Sequence, residues 1–258
     1  MKQIVEKAPL ISIIMPAYNA ARFIEVAIRS VISQTITDWE LLVLDDGSSD
    51  DTLVIAQRLA LEDNRIRVVP NKNNMGVAKT RNHGFELCRG EYVALLDSDD
   101  YWHPEKLEVQ LALMRKTGAD LGYCSYAIVD AAGDKTRADY LVPPTVDFAD
   151  LLRQNVIGCS TVMLSNAVYK KYRFDTDFYH EDYVLWLRLL QNNHKSAGCT
   201  QVLAAWRYVE NSRSFNKWSA AKNRWRIYRD HLHLGLIYSV RLLTEYAVLG
   251  LRKYSKKY

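Results

Sequence analysis

The sequence predicts an α/β fold: a mostly parallel, Rossmann-like sheet with helices on both faces. Over roughly the first 120 residues, short β-branched apolar runs alternate with segments whose apolar residues recur at helical spacing. The runs are continuously apolar, which is typical of parallel strands that are covered on both faces. Strand and helix also alternate in order, which favours parallel strands joined by crossover helices.

Four strands and four helices account for this first half. The predicted strands are Leu10–Met15, Trp39–Leu44, Ile66–Val69 and Tyr92–Leu96, and the predicted helices are Ala20–Ser33, Asp50–Leu61, Val77–Cys88 and Pro104–Lys116. An aspartate at the start of the second helix and a proline in the first turn of the fourth favour these helix starts.

The pattern loosens after Gly118. The predicted strands there are Leu121–Val129, Ser160–Leu164 and Val202–Tyr208, the predicted helices are Asp147–Gln154 and Asp182–Gln191, and a polar loop covers Ala131–Pro144. From Lys217 the pattern is helical almost to the end. We therefore expect one domain over residues 1–216, with halves 10–118 and 119–216, and a helical tail over 217–258.

Charge is unevenly distributed along the chain. Residues 217–258 carry ten Lys or Arg and two Asp or Glu, whereas the whole chain has a net charge of only +4. The basic tail indicates either an anionic partner or a solvated helix face. The four cysteines form no C-x-x-C pair, and the N-terminal segment has no apolar signal region, so we expect a cytoplasmic setting. Leu234–Leu251 is interrupted by charged residues and falls short of a membrane span.

Three polar motifs follow predicted strands. They are P-A-Y-N at 16–19, D-D-G-S-S-D-D-T at 45–52 and D-S-D-D at 97–100. Open parallel sheets bind ligands at the carboxyl ends of their strands, so the three motifs should meet at one edge. Taken alone, the second motif also fits a turn followed by a helix N-cap. So many carboxylates at one edge would repel one another unless a cation were bound there.

Asp97 and Asp99 are the sharpest candidates for metal ligands. They stand two residues apart at a strand end, and no His or Cys accompanies them. Carboxylate oxygens of this kind suit Mg²⁺ or Mn²⁺ rather than zinc. An ion held by one or two carboxylates keeps positions open for diphosphate oxygens, and it would neutralise the charge of a departing nucleotide diphosphate.

Four motifs in order resemble a known family. I-I-M-P-A-Y-N, L-L-V-L-D-D-G-S-S-D-D-T, N-M-G-V-A-K-T-R-N-H-G and G-E-Y-V-A-L-L-D-S-D-D are together similar to the family 2 glycosyltransferases, whose fold is called GT-A. The resemblance is dense over residues 10–110 and weaker to about 215. It implies a nucleotide-binding half at 10–118 and an acceptor-binding half at 119–216.

The resemblance assigns residues to the nucleotide of a sugar donor. Pro16, Ala17 and Tyr18 would hold the base through their backbone. Asp45 would accept a hydrogen bond from the base, which in this family is usually uracil, and Asp46 would support that loop.

Further roles concern the sugar diphosphate. Arg81 would face the base or the phosphates, although without the resemblance it fits a surface cation on a helix. Asp97 and Ser98 would contact the donor, and Asp99 together with Asp97 would hold Mn²⁺ or Mg²⁺.

The family also places an acidic pair at the start of a later helix, here Glu181 and Asp182. Inverting transfer needs one general base for the acceptor hydroxyl, and Asp182 matches the position that has this role. Taken alone, the pair also fits the acidic preference of a helix N-terminus.

Two departures from the family pattern bear on the metal ligands and on the number of sugars added. Val209 stands where many relatives have a histidine that could be a third metal ligand. The Q-x-x-R-W segment of processive enzymes is absent, which favours addition of a single sugar.

We therefore predict an inverting transferase that uses a nucleotide-diphosphate sugar as donor. The resemblance implies that this donor is UDP-linked. It also implies a glycan or polyprenyl-diphosphate-linked acceptor of bacterial surface polysaccharide synthesis. A sugar-nucleotide nucleotidyltransferase and a non-catalytic nucleotide-sugar-binding module are the alternatives. Nucleic acid is disfavoured because the basic residues lie outside the nucleotide-binding half. Aromatic and basic residues in the tail fit either peripheral binding to the inner face of the membrane or packing of its leucines on the catalytic domain.

Overall fold

The computed structural model describes residues 7–208 and 217–255, and in that part of the chain one sheet of eight strands forms the centre. The strands are β1 Ile11–Ala17, β2 Trp39–Asp45, β3 Ile66–Pro70, β4 Tyr92–Leu95, β5 Tyr101–Trp102, β6 Leu121–Val129, β7 Met163–Ser165 and β8 Ser196–Arg207. Their order across the sheet is β3-β2-β1-β4-β7-β6-β8-β5.

The sheet is mostly parallel, as predicted. β1 pairs in parallel with β2 and β4, β2 with β3, and β6 with β8, whereas β7 and β5 are antiparallel to their neighbours. The register places Ala17 opposite Asp45 and Asp45 opposite Pro70. The carboxyl ends of β1, β2 and β3 therefore meet at one edge of the sheet.

Helices cover both faces of the sheet. They are α1 Ile24–Ile32, α2 Thr52–Glu62, α3 Val77–Leu87, α4 Lys106–Thr117, α5 Phe148–Arg153, α6 Asn166–Tyr169, α7 Glu181–Gln191, α8 Lys217–Arg226 and α9 Leu236–Ser255. Ile13 and Ile14, adjacent in β1, belong to the cores on opposite faces. Burial on both faces explains the continuously apolar strands.

Some element boundaries differ from the prediction for identifiable reasons. The first helix begins at Ile24 rather than Ala20, because the backbone N–H groups of Ala20 and Ala21 donate to the side chains of Thr52, which begins α2, and Asp50. The predicted strand from Ser160 begins only at Met163, after a 3₁₀ turn. β8 begins at Ser196, before the predicted Val202. The two-residue β5 is too short to produce a periodic pattern.

The tail packs against the rest of the described chain only partly through the leucines expected from the sequence, of which Leu232 contacts the core. Ile227 and Tyr228, in a π-helical turn after α8, are fully buried, and Leu242 is 1% exposed. Leu236 is 58% exposed, and Leu232 and Leu243 are half-buried. The side chain of Leu249, like that of Trp218, lies outside the described residues.

The outer face of α9 is apolar. Ile237 is 88% exposed, Val240 50% and Val248 43%, and the exposed Arg241 lies between them. These positions fall on one side of a helix. Among the residues that the structure describes, none of the helices combines the length and the apolar character that crossing a bilayer requires.

Candidate active site

A cleft of about 1120 Å³ opens at the carboxyl edge of the sheet. Its size suits a small organic ligand such as a nucleotide sugar. Nearly all of the predicted site residues line it, namely Pro16, Ala17, Tyr18, Asp46, Arg81, Asp97, Ser98, Asp99, Glu181 and Asp182. Asp45 is not part of the cleft wall and lies 2% exposed at the end of β2.

The loops after β1 and β2 are hydrogen-bonded to each other. Asn19 adopts a left-handed conformation with φ of 48°, and its side-chain oxygen accepts from the Ser49 backbone at 2.8 Å. The Asn19 backbone N–H donates in turn to Ser48 Oγ. Asparagine tolerates this conformation better than most residues. The turn leaves the preceding Tyr18 ring 52% exposed in the cleft.

Asp46 fixes a third loop of the cleft. Its carboxylate accepts from the backbone N–H groups of Met75 and Gly76 and from the Asn71 amide, each at 2.9 Å. The following Gly47 has φ of +76°, and a Cβ there would lie 3.1 Å from the Asn74 nitrogen. The D-D-G motif therefore ties β2 to the loop that precedes α3.

Asp45 carries an unsatisfied acceptor. One carboxylate oxygen accepts from the Ser48 backbone at 3.2 Å, while the other is buried without a hydrogen-bond partner in the described part of the protein. A buried acceptor left unpaired costs about 1–3 kcal/mol. A ligand N–H that reached this oxygen would recover part of that cost.

Arg81 is a buried ion-pair centre rather than a surface cation. Its side chain is 4% exposed, and its guanidinium donates to Asp97 and, at 2.7 Å, to Glu181. Asp97 lies in the turn after β4 and Glu181 begins α7, so the two carboxylates lie far apart in sequence. Since removing one partner of a buried pair leaves an uncompensated charge, Arg81 holds the two walls of the cleft together.

The D-S-D-D turn concentrates negative charge. Burial and the neighbouring Asp97 raise the pKa of Asp99 to about 6, and burial raises that of Asp100 well above its usual value. Ser98 is 9% exposed and lines the cleft. Asp100 is committed to Ser160 and to the Arg207 backbone, and Asp97 to Arg81. Asp99 is thus the carboxylate of this turn that remains the best candidate for binding a ligand.

These residues fit a divalent cation that takes most of its coordinating atoms from a bound diphosphate or from water rather than from the protein. A cation would offset the crowding that raises the pKa of Asp99. Within the described ranges, no group of three or more His, Cys, Asp and Glu side chains is arranged to hold a metal. The remaining positions on such an ion would fall to diphosphate oxygens or water. Val209, which replaces the family histidine, lies outside the described residues.

The acidic pair begins α7, and its two members differ in environment. Glu181 is 6% exposed and pairs with Arg81. Asp182 is half-buried, and burial raises its pKa above the ordinary 3.8. Asp182 also accepts from the Tyr183 backbone at 2.7 Å, as an acidic residue at a helix start does. The raised pKa favours proton uptake by Asp182, while Glu181 is committed to Arg81.

The cleft also includes residues that the sequence did not single out. They are Asn19, Ala20, Phe23, Asn74–Thr80, Cys159, Thr176–His180, Trp206 and Arg207. The N-M-G-V-A-K motif was visible, but only its Arg81 was assigned a role. Arg207 is 5% exposed and bonds to the D-S-D-D turn across more than 100 residues of sequence, a contact with no local signal.

Comparison with known proteins decides the family. The model of the family "Glycosyl transferase family 2" matches residues 12–178. The chain belongs to glycosyltransferase family 2. It is 36% identical over 247 residues to a Bacillus subtilis protein named as the teichuronic acid biosynthesis glycosyltransferase TuaG, covering 95% of this chain and 97% of that one. It is also 36% identical over 251 residues to the Escherichia coli enzyme UDP-Glc:alpha-D-GlcNAc-diphosphoundecaprenol beta-1,3-glucosyltransferase WfgD, covering 96% of each.

Solved structures share the fold of this glycosyltransferase. Residues 1–349 of Staphylococcus aureus TarS, in complex with UDP-GlcNAc, align with a TM-score of 0.73 and 20% identity, over 92% of this chain and 71% of that one. The mannosyltransferase PcManGT of Pyrobaculum calidifontis, in complex with GDP-Man and Mn²⁺, aligns with a TM-score of 0.68 and 16% identity, over 98% and 77%. The predicted GT-A fold and glycosyltransferase activity are confirmed, which sets aside the nucleotidyltransferase and the binding module.

Proposed function

We propose that this glycosyltransferase moves one sugar, with inversion, from a UDP-sugar to a hydroxyl of a polyprenyl-diphosphate-linked glycan in bacterial surface polysaccharide synthesis. The observation that carries the proposal is the meeting of Asp99 and Asp182 in one cleft. The names of TuaG and WfgD support the substrate class, since one refers to teichuronic acid and the other to UDP-Glc and a diphosphoundecaprenol acceptor.

The residues of the cleft divide the reaction between them. Asp182 takes the proton of the acceptor hydroxyl as its oxygen attacks the anomeric carbon and the bond to the diphosphate breaks on the opposite face. Asp99, with Asp97 beside it, would hold Mn²⁺ or Mg²⁺, which would supply positive charge for the departing diphosphate. Arg81 holds Asp97 and Glu181 in place through the ion pairs already described.

The donor nucleotide tests the proposal. We expect UDP to bind at least about tenfold more tightly than GDP, because a uracil N3–H that approached the buried, unpaired oxygen of Asp45 behind the cleft wall would satisfy it. Thermal shift and calorimetry across a panel of nucleotides and nucleotide sugars, with Mn²⁺, measure this preference. Asp45→Ala should remove it, while tighter binding of GDP by the wild-type protein would contradict the assignment. dTDP has the same N3–H and is expected to bind as well.

We further propose that the enzyme works at the inner face of the membrane, with the outer face of α9 on anionic lipid. The exposed Ile237 and Val240 are apolar, and Arg241, which is ion-paired with Glu245 at 2.9 Å, adds a basic group beside them, a combination found in helices at bilayer interfaces. Each basic residue near such a surface contributes on the order of 1 kcal/mol. Among the tail residues whose burial the structure describes, Ile227, Tyr228 and Leu242 pack on the body, which leaves the outer face of α9 available to lipid.

Liposome flotation at low salt measures this association. Replacing Ile237 and Val240 together by glutamate should reduce the fraction that floats with anionic vesicles, because it removes apolar contact and adds negative charge. Leu61→Glu, at a residue 90% exposed on α2, is the matched control and should float like the wild type. Equal flotation of all three proteins, or none by the wild type, would contradict the proposal.

A further inference from the structure

The 3₁₀ turn Cys159–Thr161 is held by three buried donors. The Trp102 indole donates to the Ser160 carbonyl at 2.6 Å, the Gln110 amide to the Thr161 carbonyl at 2.9 Å, and the Lys106 amine to the Val162 carbonyl at 3.5 Å. The donors are spaced four residues apart, so they form one stripe from β5 along α4. This stripe fixes the backbone of the turn that presents Ser160.

The Ser160 hydroxyl bridges two points of the D-S-D-D turn. Its oxygen accepts from the Asp97 backbone N–H at 3.1 Å, and its proton is donated to one carboxylate oxygen of Asp100. Ser160 is 5% exposed and lies outside the cleft wall. It therefore contacts the turn from behind, on the side away from any ligand.

The second carboxylate oxygen of Asp100 closes the bridge from the other side. It accepts from the Arg207 backbone N–H at 2.8 Å. The Arg207 guanidinium donates to the backbone carbonyls of Asp99, Asp130 and Ala131, at 2.8, 2.9 and 3.0 Å. The residues around Asp99 are thus held by Ser160 and Arg207, which come from two separate segments of the chain.

We propose that Ser160 is a positioning residue that orients Asp99 for the divalent cation of the donor complex, by fixing the backbone at Asp97 and the carboxylate at Asp100. The proposal rests on the metal-dependent donor binding proposed above. Residues behind a metal ligand, once removed, typically cost 10–100-fold in metal affinity or activity.

The test is calorimetric titration of Mn²⁺ into the protein with UDP present. Ser160→Ala should weaken Mn²⁺ binding about 10–100-fold and leave the weak binding of UDP without metal unchanged. Ser160→Thr keeps the hydroxyl and should retain most of the affinity. Ser165→Ala is the matched control, because Ser165 also donates to an aspartate, Asp120, at 2.7 Å, but at the carboxyl-terminal end of β7, opposite the first residue of β4 and away from the cleft.

Thermal unfolding of each variant separates loss of fold from loss of metal binding. If Ser160→Ala does not fold, Ser160→Cys carries the same comparison, since a thiol fills the site but is a weaker donor and acceptor. Mn²⁺ affinity equal to wild type in the folded variant, or an equal loss in Ser165→Ala, would overturn the positioning role. A wild-type protein that binds UDP equally with and without Mn²⁺ would instead refute the proposed function.

Discussion

Asp99→Ala is expected to abolish metal-dependent binding of the donor. The other two aspartates of the turn are already committed, Asp97 to Arg81 and Asp100 to Ser160 and Arg207, so neither is positioned to replace the lost carboxylate. Calorimetry with UDP and Mn²⁺ should show that the affinity for UDP in the presence of Mn²⁺ falls by at least about 100-fold. Removal of a residue that only supports a metal ligand costs up to about 100-fold, and removal of the ligand itself should cost at least as much.

Stability provides a second readout of the same change. Burial and Asp97 raise the pKa of Asp99, so the ionised carboxylate destabilises the metal-free fold at neutral pH. Its removal should not lower the melting temperature. Asp134→Ala, at an exposed aspartate of the loop after β6, is the control and should bind like the wild type. Unchanged Mn²⁺–UDP affinity in Asp99→Ala would remove Asp99 from the metal site.

Asp182→Asn is expected to bind the donor normally and to lose transfer. An amide keeps the shape of the side chain but cannot accept the proton of the acceptor hydroxyl, and a general base typically contributes 10²–10⁴-fold to the rate. We expect kcat to fall by about that factor while the KM for the donor changes little. Radiolabelled transfer to a polyprenyl-diphosphate-linked acceptor measures both constants.

The control for this change comes from the same segment of the chain. Asp175→Asn alters an aspartate shortly before the cleft wall and should leave kcat unchanged. The wild-type rate should rise with pH through the pKa of Asp182, which burial raises above 3.8, because only the ionised form accepts a proton. Near-normal turnover by Asp182→Asn would show that another group is the base.

Much of the fold could be predicted from the sequence because strands that are buried on both faces consist of continuous runs of apolar residues. β1 and β2 carry this signal, and their ends meet that of β3 at one edge of the sheet because parallel strands align their carboxyl ends. β5 could not be predicted, since its two residues acquire strand geometry only by pairing with β8. α1 begins later than the sequence predicts, because the backbone N–H groups of Ala20 and Ala21 donate hydrogen bonds to Thr52 and Asp50, which hold these residues in a turn.

The candidate site was visible where its residues cluster in sequence and hidden where they converge only in space. The aspartates at 45–46 and 97–100 stand beside each other at strand ends. Arg81 could be placed at the cleft by resemblance, but its pairing with Glu181 joins residues 100 positions apart. Ser160 and Arg207 have no motif, because their role depends on hydrogen bonds across the sheet rather than on neighbours in the chain.

The most direct test of the central claim is release of UDP from a panel of UDP-sugars, measured with Mn²⁺ and again after chelation by EDTA. The account predicts release from at least one UDP-sugar that depends on the metal, falls in Asp99→Ala, and is not reproduced by the matching GDP-sugar. Undiminished release in EDTA, or release from GDP-sugars alone, would contradict it.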